Sequence, residues 1–224
     1  MSSLLDQGFE IVPKCLGHKE VASLLSAIED SSLHRGRAGM RNAFQIDVVQ
    51  RLAQDKRLNT LARQLLGDNA VPFRATLFDK SPSSNWLVIW HQDTALPLRE
   101  RREVAGWGPW SVKEGVVCAH APASALQRVL AIRVHLDDSP AENGPLRILP
   151  GTHCLGVFSD DSIHELANRI SPTECHVPAG GLLLMRPLSV HASSKTTGSV
   201  PRRVLHIEYA AKMDLADGLK LAVY

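Results

Sequence analysis

The spacing of the hydrophobic residues changes near residue 70. Before that point Val21, Leu24 and Ile28 follow a helical repeat, and the same repeat runs on through residues 48–66. A glycine ends the second run, as is common at a helix C-terminus. This pattern predicts two helices and a helical N-terminal part over residues 1–70.

Beyond residue 70, short apolar or alternating runs separated by turn-rich pieces predict mostly strands. The runs are Phe73–Phe78, Trp86–Trp90, Val116–Cys118, Val129–Leu136, Gly181–Met185 and Val204–Tyr209. One helix is expected among them, over Ser162–Arg169, because Ser162 and Glu165 have the spacing of a capping box. Together these elements predict a single domain over residues 1–224, mainly β with some α: a β-sandwich or barrel with helices packed on one outer face.

The longest stretch without clear periodicity runs from Thr94 to Gly115. A loop of that length in a compact domain is usually functional or disordered, and this one contains Trp107 and Trp110. We therefore favour a lid over a cleft. The alternative is that both indoles cover the edge of the core.

The charge balance contains no sign of a polyanionic partner. The chain has 25 Lys and Arg and 23 Asp and Glu, and the basic residues form no block. A small-molecule partner is expected, with no nucleic acid or membrane, in a monomer or homodimer. The four cysteines lack a CxxC spacing and no run approaches the length of a membrane span, so a cytoplasmic location is expected.

A His-Gln-Asp tripeptide is the first sign of a metal site. His91 and Asp93 follow an apolar run, and residues two apart on a strand point to the same face. The tripeptide alone arises often by chance, so a third ligand is needed. His191, after a later strand, would complete a set of two His and one carboxylate, which suits iron(II) and leaves coordination positions open for a co-substrate and dioxygen.

An oxygenase that uses 2-oxoglutarate also needs a cation for the far carboxylate of that acid. Arg202 opens the strand that follows His191, and alternation places it on one face with His206, opposite an apolar face. In the same way Arg133 and His135 share one face of their strand. Buried polar groups are costly unless paired, so Arg133 would suit an anionic co-substrate; the alternative is a partly exposed strand with a solvated arginine.

Three blocks of sequence resemble the phytanoyl-CoA dioxygenase family of non-haem iron oxygenases. They are TLFDKSP followed by WHQD, then LDDSPAENGPLRILPGTH, then HASSKTTGSVPRRVLHIEY, and they cover roughly residues 70–210. The middle block is much more specific than the tripeptide. All three occur in the family's order and at its approximate spacing.

The resemblance implies a double-stranded β-helix, a jelly-roll or cupin-like core, over residues 71–210. It implies that His91, Asp93 and His191 bind iron(II), and that the co-substrate site is formed by Arg202, Ser193, Thr76 and, where the family's phytanoyl-CoA enzyme has Trp, Arg133. Dioxygen would be the second co-substrate and ascorbate a reductant. The presence of Asp93 favours hydroxylation, since related halogenases carry a small residue there.

The expected function is therefore a dioxygenase that hydroxylates a small molecule at a C–H bond and releases succinate and carbon dioxide. Two alternatives stay open: a non-catalytic binding or sensing module on the same fold, and a cupin-like enzyme that uses another metal without 2-oxoglutarate. Substrate contacts are expected from Trp107, Lys113, His120 and His135.

Overall fold

A computed structural model describes residues 2–36 and 39–224. The helices are α1 (Ser2–Gln7), α2 (His18–Glu29), α3 (Asp47–Ala53), α4 (Lys56–Leu66), α5 (Ala123–Leu126) and α6 (Asp160–Arg169). The strands are β1 (Phe9–Val12), β2 (Gly39–Met40), β3 (Val71–Lys80), β4 (Val88–His91), β5 (Ala95–Leu98), β6 (Trp110–Lys113), β7 (Val116–His120), β8 (Val129–His135), β9 (Leu146–Ile148), β10 (Thr173–Cys175), β11 (Leu182–Met185), β12 (His191–Ser193) and β13 (Arg202–Ala210).

Two antiparallel sheets form the β core. The larger has the order β1-β11-β8-β13-β3-β2, and the smaller the order β10-β9-β12-β4. Their inner faces pack together, since Leu183 and Met185 of the larger sheet share a buried cluster with Leu146 and Ile148 of the smaller one. This arrangement confirms the expected jelly-roll core.

The outer face of the larger sheet is covered by the N-terminal helices. Leu205, Ile207 and Tyr209 of β13 lie in one buried cluster with residues of α2, α3 and α4, and the hydroxyl of Tyr209 donates to the Ala53 carbonyl at 2.9 Å. Each large apolar side chain buried here contributes roughly 1.5–3 kcal/mol relative to exposure. The alternation predicted for β13 is confirmed, because its polar residues point to the other face.

The two helical boundaries read from the sequence need correction. The run over residues 48–66 is two helices, because the Asp55 carboxylate accepts the amide hydrogen of Arg57 at 2.8 Å and so caps a new helix. The later helix begins at Asp160, and its cap is Ser159, whose hydroxyl accepts the amide hydrogen of Ser162. The proposed capping box at Ser162 is therefore wrong.

The segment over residues 94–115 is not a structureless loop. It contains β5 and β6, which pair on either side of β7 to form a third, three-stranded sheet. Its first strand packs inward through Leu96 and Leu98, and Trp107 joins them in a second buried cluster. Among the described helices, none is long and apolar enough to cross a membrane.

Candidate metal centre and its two cavities

Three side chains converge where β4 meets β12. His91 Nε2 lies 3.7 Å from one carboxylate oxygen of Asp93, and His191 Nε2 lies 3.6 Å from the other. One ligand atom from each residue lies within 4.8 Å of the other two. This spacing could hold a single ion, with two nitrogen ligands and one oxygen ligand.

Both imidazoles are turned so that Nε2 faces the centre. The Nδ1 atom of His91 lies 2.9 Å from the Ile89 carbonyl, and that of His191 lies 2.9 Å from the Ser189 carbonyl. A carbonyl can only accept, so Nδ1 carries the hydrogen and Nε2 keeps its lone pair for a metal. Burial lowers the pKa of His191 to about 4, which keeps this ring neutral at pH 7.

The sequence predicted that His91 and Asp93 lie on one strand and share a face, but the structure positions the ligands in another way. Strand β4 ends at His91, and Asp93 lies just beyond it, held by a bond from its amide to the Pro187 carbonyl at 3.0 Å. His191 begins strand β12 and stands opposite His91 in the register of the smaller sheet. The predicted ligands therefore meet through strand pairing rather than through alternation along one strand.

A cluster of buried polar groups lies next to the metal centre. Lys80 Nζ donates to Ser193 Oγ at 2.8 Å and to the Ser194 carbonyl at 2.6 Å. Arg202 donates to Ser193 Oγ at 3.2 Å and to the Asn143 carbonyl at 3.0 Å. We call Lys80, Ser193 and Arg202 the anion cluster. No described acidic residue pairs with its two basic side chains, and such a group suits a carboxylate.

The turn before β9 supports this cluster. Ser193 Oγ donates to the Gly144 carbonyl at 2.9 Å. Gly144 has a positive φ of 56°, and a Cβ there would lie 2.3 Å from the Ser194 carbonyl oxygen. Only glycine therefore permits this approach of the two backbones, which explains the Asn-Gly pair in the middle sequence block.

Lys80 is not among the site residues predicted from the sequence. It closes β3 and is 1% exposed, a rare state for lysine. Burial, with the charges of Arg202 and Arg133, lowers the pKa of Lys80 to about 7. Alternation along β3 puts Lys80 on the same face as Thr76. Extending the predicted strand by two residues would therefore have placed Lys80 on the face that bears the site.

The metal centre shares a small cavity of about 90 Å³ with Ser193 and Arg202 of the anion cluster. Its lining residues are Phe78, Trp86, Val88, His91, Asp93, Arg133, Leu146, His191, Ser193 and Arg202. Arg133 is 5% exposed and donates to Nδ1 of His206 at 2.9 Å. The predicted ligands Arg202, Ser193 and Arg133 thus line one cavity with the three metal residues.

A larger cleft of about 320 Å³, here called the outer cleft, opens on the other side of the metal residues. Its lining residues are Arg41, Arg74, Thr76, Phe78, His91, Gln92, Asp93, Thr94, Ala95, Lys113, His120, His206 and Glu208. Its walls come from β3 and β13 on the inside and from the three-stranded sheet on the outside.

The remaining predicted residues divide between these places. Lys113 and His120 border the outer cleft, and His120 Nδ1 lies 2.7 Å from the Thr94 hydroxyl. Thr76 also borders the outer cleft and not the small cavity. Trp107 lies in the hydrophobic cluster behind the three-stranded sheet, and His135 is buried; neither borders the small cavity or the outer cleft.

A buried ion pair forms part of the inner wall of the outer cleft. Arg74 donates two hydrogen bonds to the carboxylate of Glu208, one of them at 2.7 Å, and a third to the Ala95 carbonyl at 3.2 Å. Burial raises the pKa of Glu208 above its usual value, and the adjacent guanidinium of Arg74 opposes that rise. The pair therefore satisfies itself without a ligand.

Comparison with known proteins agrees with the resemblance found in the sequence. The profile of the phytanoyl-CoA dioxygenase (PhyH) family matches residues 4–204. The chain belongs to this family.

Curated relatives and solved structures extend the comparison. The chain is 27% identical over 201 residues to an ectoine dioxygenase of Sphingopyxis alaskensis, and 27% identical over 189 residues to an L-proline trans-4-hydroxylase of Streptomyces griseoviridis. These alignments cover 77% and 73% of this chain but 58% and 63% of the relatives, less than two thirds of each. The crystal structure of EctD from S. alaskensis with 2-oxoglutarate and 5-hydroxyectoine has the same fold, with a TM-score of 0.71, 23% identity and coverage of 93% of this chain and 74% of that one.

Proposed function

We propose that the chain is an iron(II)- and 2-oxoglutarate-dependent oxygenase that hydroxylates a C–H bond of a small molecule, with release of succinate and carbon dioxide. One observation carries the proposal: the His-Asp-His triad lines the same small cavity as Ser193 and Arg202 of the buried anion cluster. A metal and a dicarboxylic acid would each find a matching set of groups there. The four cysteines are unpaired, which supports a cytoplasmic location.

The residues present fit these two groups. His91, Asp93 and His191 would hold iron, since mixed nitrogen and oxygen ligation by three residues leaves coordination positions open. Lys80, Ser193 and Arg202 would hold the distal carboxylate of 2-oxoglutarate. Iron(II) and 2-oxoglutarate, when bound, supply the oxidising chemistry that places one oxygen atom of dioxygen on the substrate carbon.

The protein contributes orientation and a dry environment. Phe78, Trp86 and Leu146 line the small cavity between its polar groups and reduce the access of water. Electrostatic interactions strengthen in such surroundings, so the cations of the anion cluster can fix a carboxylate firmly. Asp93 fills a ligand position with a carboxylate, which favours hydroxylation as the outcome.

The outer cleft is the proposed substrate site, and its free groups are mostly donors. Its two acidic residues are already engaged, Asp93 by the metal centre and Glu208 by Arg74. Lys113 brings positive charge to the wall, Arg41 adds a guanidinium that is paired with Glu114, and His120 and Thr76 add polar atoms. The substrate would be a small polar molecule with acceptor or acidic groups.

The test measures succinate formed from 2-oxoglutarate with iron(II), dioxygen and ascorbate, with and without a panel of small polar metabolites. We expect succinate formation that one panel member stimulates, with a mass gain of one oxygen atom in that compound. Asp93→Ala should abolish both iron content and succinate formation. His164→Ala, at an exposed position of α6, is the matched control and should change neither.

The other outcomes identify the alternatives. Binding of iron and 2-oxoglutarate without turnover on any panel member would indicate a binding or sensing module. Turnover that needs the metal but not 2-oxoglutarate would indicate a cupin-like enzyme of another kind. Unchanged metal content in Asp93→Ala would refute the metal site itself.

A further inference from the structure

The strand register divides the inner face of the larger sheet into rows. Lys80 pairs with Arg202 in the first row, and two rows further along His206 pairs with both Thr76 and Arg133. Four residues of strand separate these rows, which is about 13 Å along the backbone. Arg133 thus approaches the small cavity from a different level of the sheet than the anion cluster does.

Arg133 has no charged partner within residues 2–36 and 39–224. Its one hydrogen bond in the described chain goes to the ring of His206, and its Nε atom has no partner there. The guanidinium otherwise lies over the Phe78 ring, 5.2 Å from the centroid. A buried cation in this state is costly unless an anion completes the site.

The nearby carboxylates are not free to serve. Glu208 accepts two hydrogen bonds from Arg74, and Asp93 lies between the two imidazoles of the metal centre. Arg133 shares the small cavity with those metal residues. The missing anion should therefore lie in the small cavity, close to the metal.

We propose that Arg133 binds the carboxylate at the 2-oxo end of the co-substrate, the group next to the keto carbon that becomes carbon dioxide. This rests on the proposed function. Each charge of the dianion then meets its own cation: the distal carboxylate at Lys80 and Arg202, the proximal one at Arg133. The cavity would favour 2-oxo acids as a class, even those without a second carboxylate.

The same contact fixes His206. A guanidinium only donates hydrogen bonds, so Nδ1 of His206 must accept and Nε2 must carry the hydrogen. His206 also borders the outer cleft. Arg133 therefore holds one tautomer of a side chain that faces the proposed substrate.

The experiment compares two ligands that differ in one group. 2-Oxobutyrate is 2-oxoglutarate without the distal carboxyl group. Both are titrated calorimetrically into protein loaded with nickel(II), so that binding is read without turnover, and 2-oxobutyrate is also measured by competition against 2-oxoglutarate. The ratio of the two affinities reports the distal contacts alone.

Two variants should behave in opposite ways. Arg133→Met should weaken both acids by a similar factor, roughly 10- to 100-fold, and leave their ratio unchanged. Arg202→Met should weaken 2-oxoglutarate by a comparable factor and leave 2-oxobutyrate nearly unchanged. Arg133→Lys should recover part of the loss for both acids.

Other results would overturn the inference. If Arg133→Met left the affinity for 2-oxobutyrate unchanged, Arg133 would not bind the proximal carboxylate. The same would follow if that variant lowered the ratio of the 2-oxoglutarate affinity to the 2-oxobutyrate affinity. If Arg133 were a structural support, Arg133→Met would lower the melting temperature of the metal-free protein, and Arg133→Lys would not restore affinity. A wild-type protein that binds nickel but neither acid would refute the proposed function instead.

Discussion

Two arginines, the half-buried Arg74 and the buried Arg133, lie one row apart on the inner face of the larger sheet and have different partners. Arg74 meets Glu208 in a doubly hydrogen-bonded pair and also donates to a carbonyl. Arg133 meets a neutral imidazole. The first site is complete in the protein alone, whereas the second lacks an anion. A charged side chain in the protein interior can thus serve the structure or bind a ligand. The presence or absence of an oppositely charged partner in the protein distinguishes the two roles.

The largest effect should come from breaking the complete pair. Glu208→Gln removes the charge that compensates Arg74, and we expect it to lower the free energy of unfolding by about 3–5 kcal/mol, measured by urea denaturation of the metal-free protein. The double variant Arg74→Met/Glu208→Leu removes both charges and should recover most of the loss. A double variant as unstable as the single one would mean that packing, not charge, decides.

Removing the incomplete site should act in the opposite direction. Arg133→Met takes away a buried charge without a counter-ion, so we expect the metal-free protein to gain roughly 1–2 kcal/mol in urea denaturation, after the loss of one hydrogen bond to His206. Saturating 2-oxoglutarate with nickel(II) should stabilise the wild type more than the variant. A loss of stability would assign Arg133 to the structural class with Arg74.

Buried histidines on the same face should make the protein sensitive to acid. Burial, assisted by Arg133, holds the pKa of His135 and of His206 well below the usual 6.5. Below pH 6.5 the unfolded chain gains protons that the folded one does not, so stability falls as the pH drops. His135→Leu should flatten that fall by up to about 1.4 kcal/mol per pH unit.

The measurement is urea denaturation of the metal-free protein between pH 7.5 and 5, a range set by the unfolded pKa of about 6.5. His164→Leu, at an exposed position of α6, is the matched control and should leave the slope unchanged. An unaltered slope in His135→Leu would show that His135 takes up its proton while folded.

The smallest effect should come from an exposed pair near the mouth of the outer cleft. Arg41 lies 3.2 Å from Glu114, with 51% and 41% of the two side chains exposed. Solvent screens such pairs, so Glu114→Gln should change the unfolding free energy by less than about 1 kcal/mol in the same denaturation assay. If Glu114→Gln lowered the unfolding free energy as much as Glu208→Gln does, burial would not explain the difference between the two ion pairs.

Local patterns in the sequence predicted much of this arrangement. Alternation along β13 separates Arg202 and His206 from the apolar face that packs on the helices, and the structure agrees. The metal triad was predicted from a tripeptide and a distant histidine, which strand pairing brings together. These features depend on residue type at short spacing, which a sequence displays directly.

Other features depend on partners that are distant in sequence. Residues 94–115 lack alternation because β5 and β6 each have four residues and pair with β7 rather than with the core sheets. Lys80 lies two positions beyond the predicted run Phe73–Phe78, and its partner Ser193 is 113 positions away in the sequence. The break before Asp55 depended on one capping bond inside an otherwise continuous helical pattern.

The burial of Lys80 links co-substrate binding to proton uptake. With a pKa of about 7, this amine is only partly charged at neutral pH before a carboxylate arrives. A bound carboxylate favours the ammonium form, so binding of the proposed co-substrate would draw a proton from the solution, and the affinity would weaken as the pH rises above 7. The apparent heat of binding should then differ between buffers of different ionisation enthalpy, and in Lys80→Met that difference should vanish.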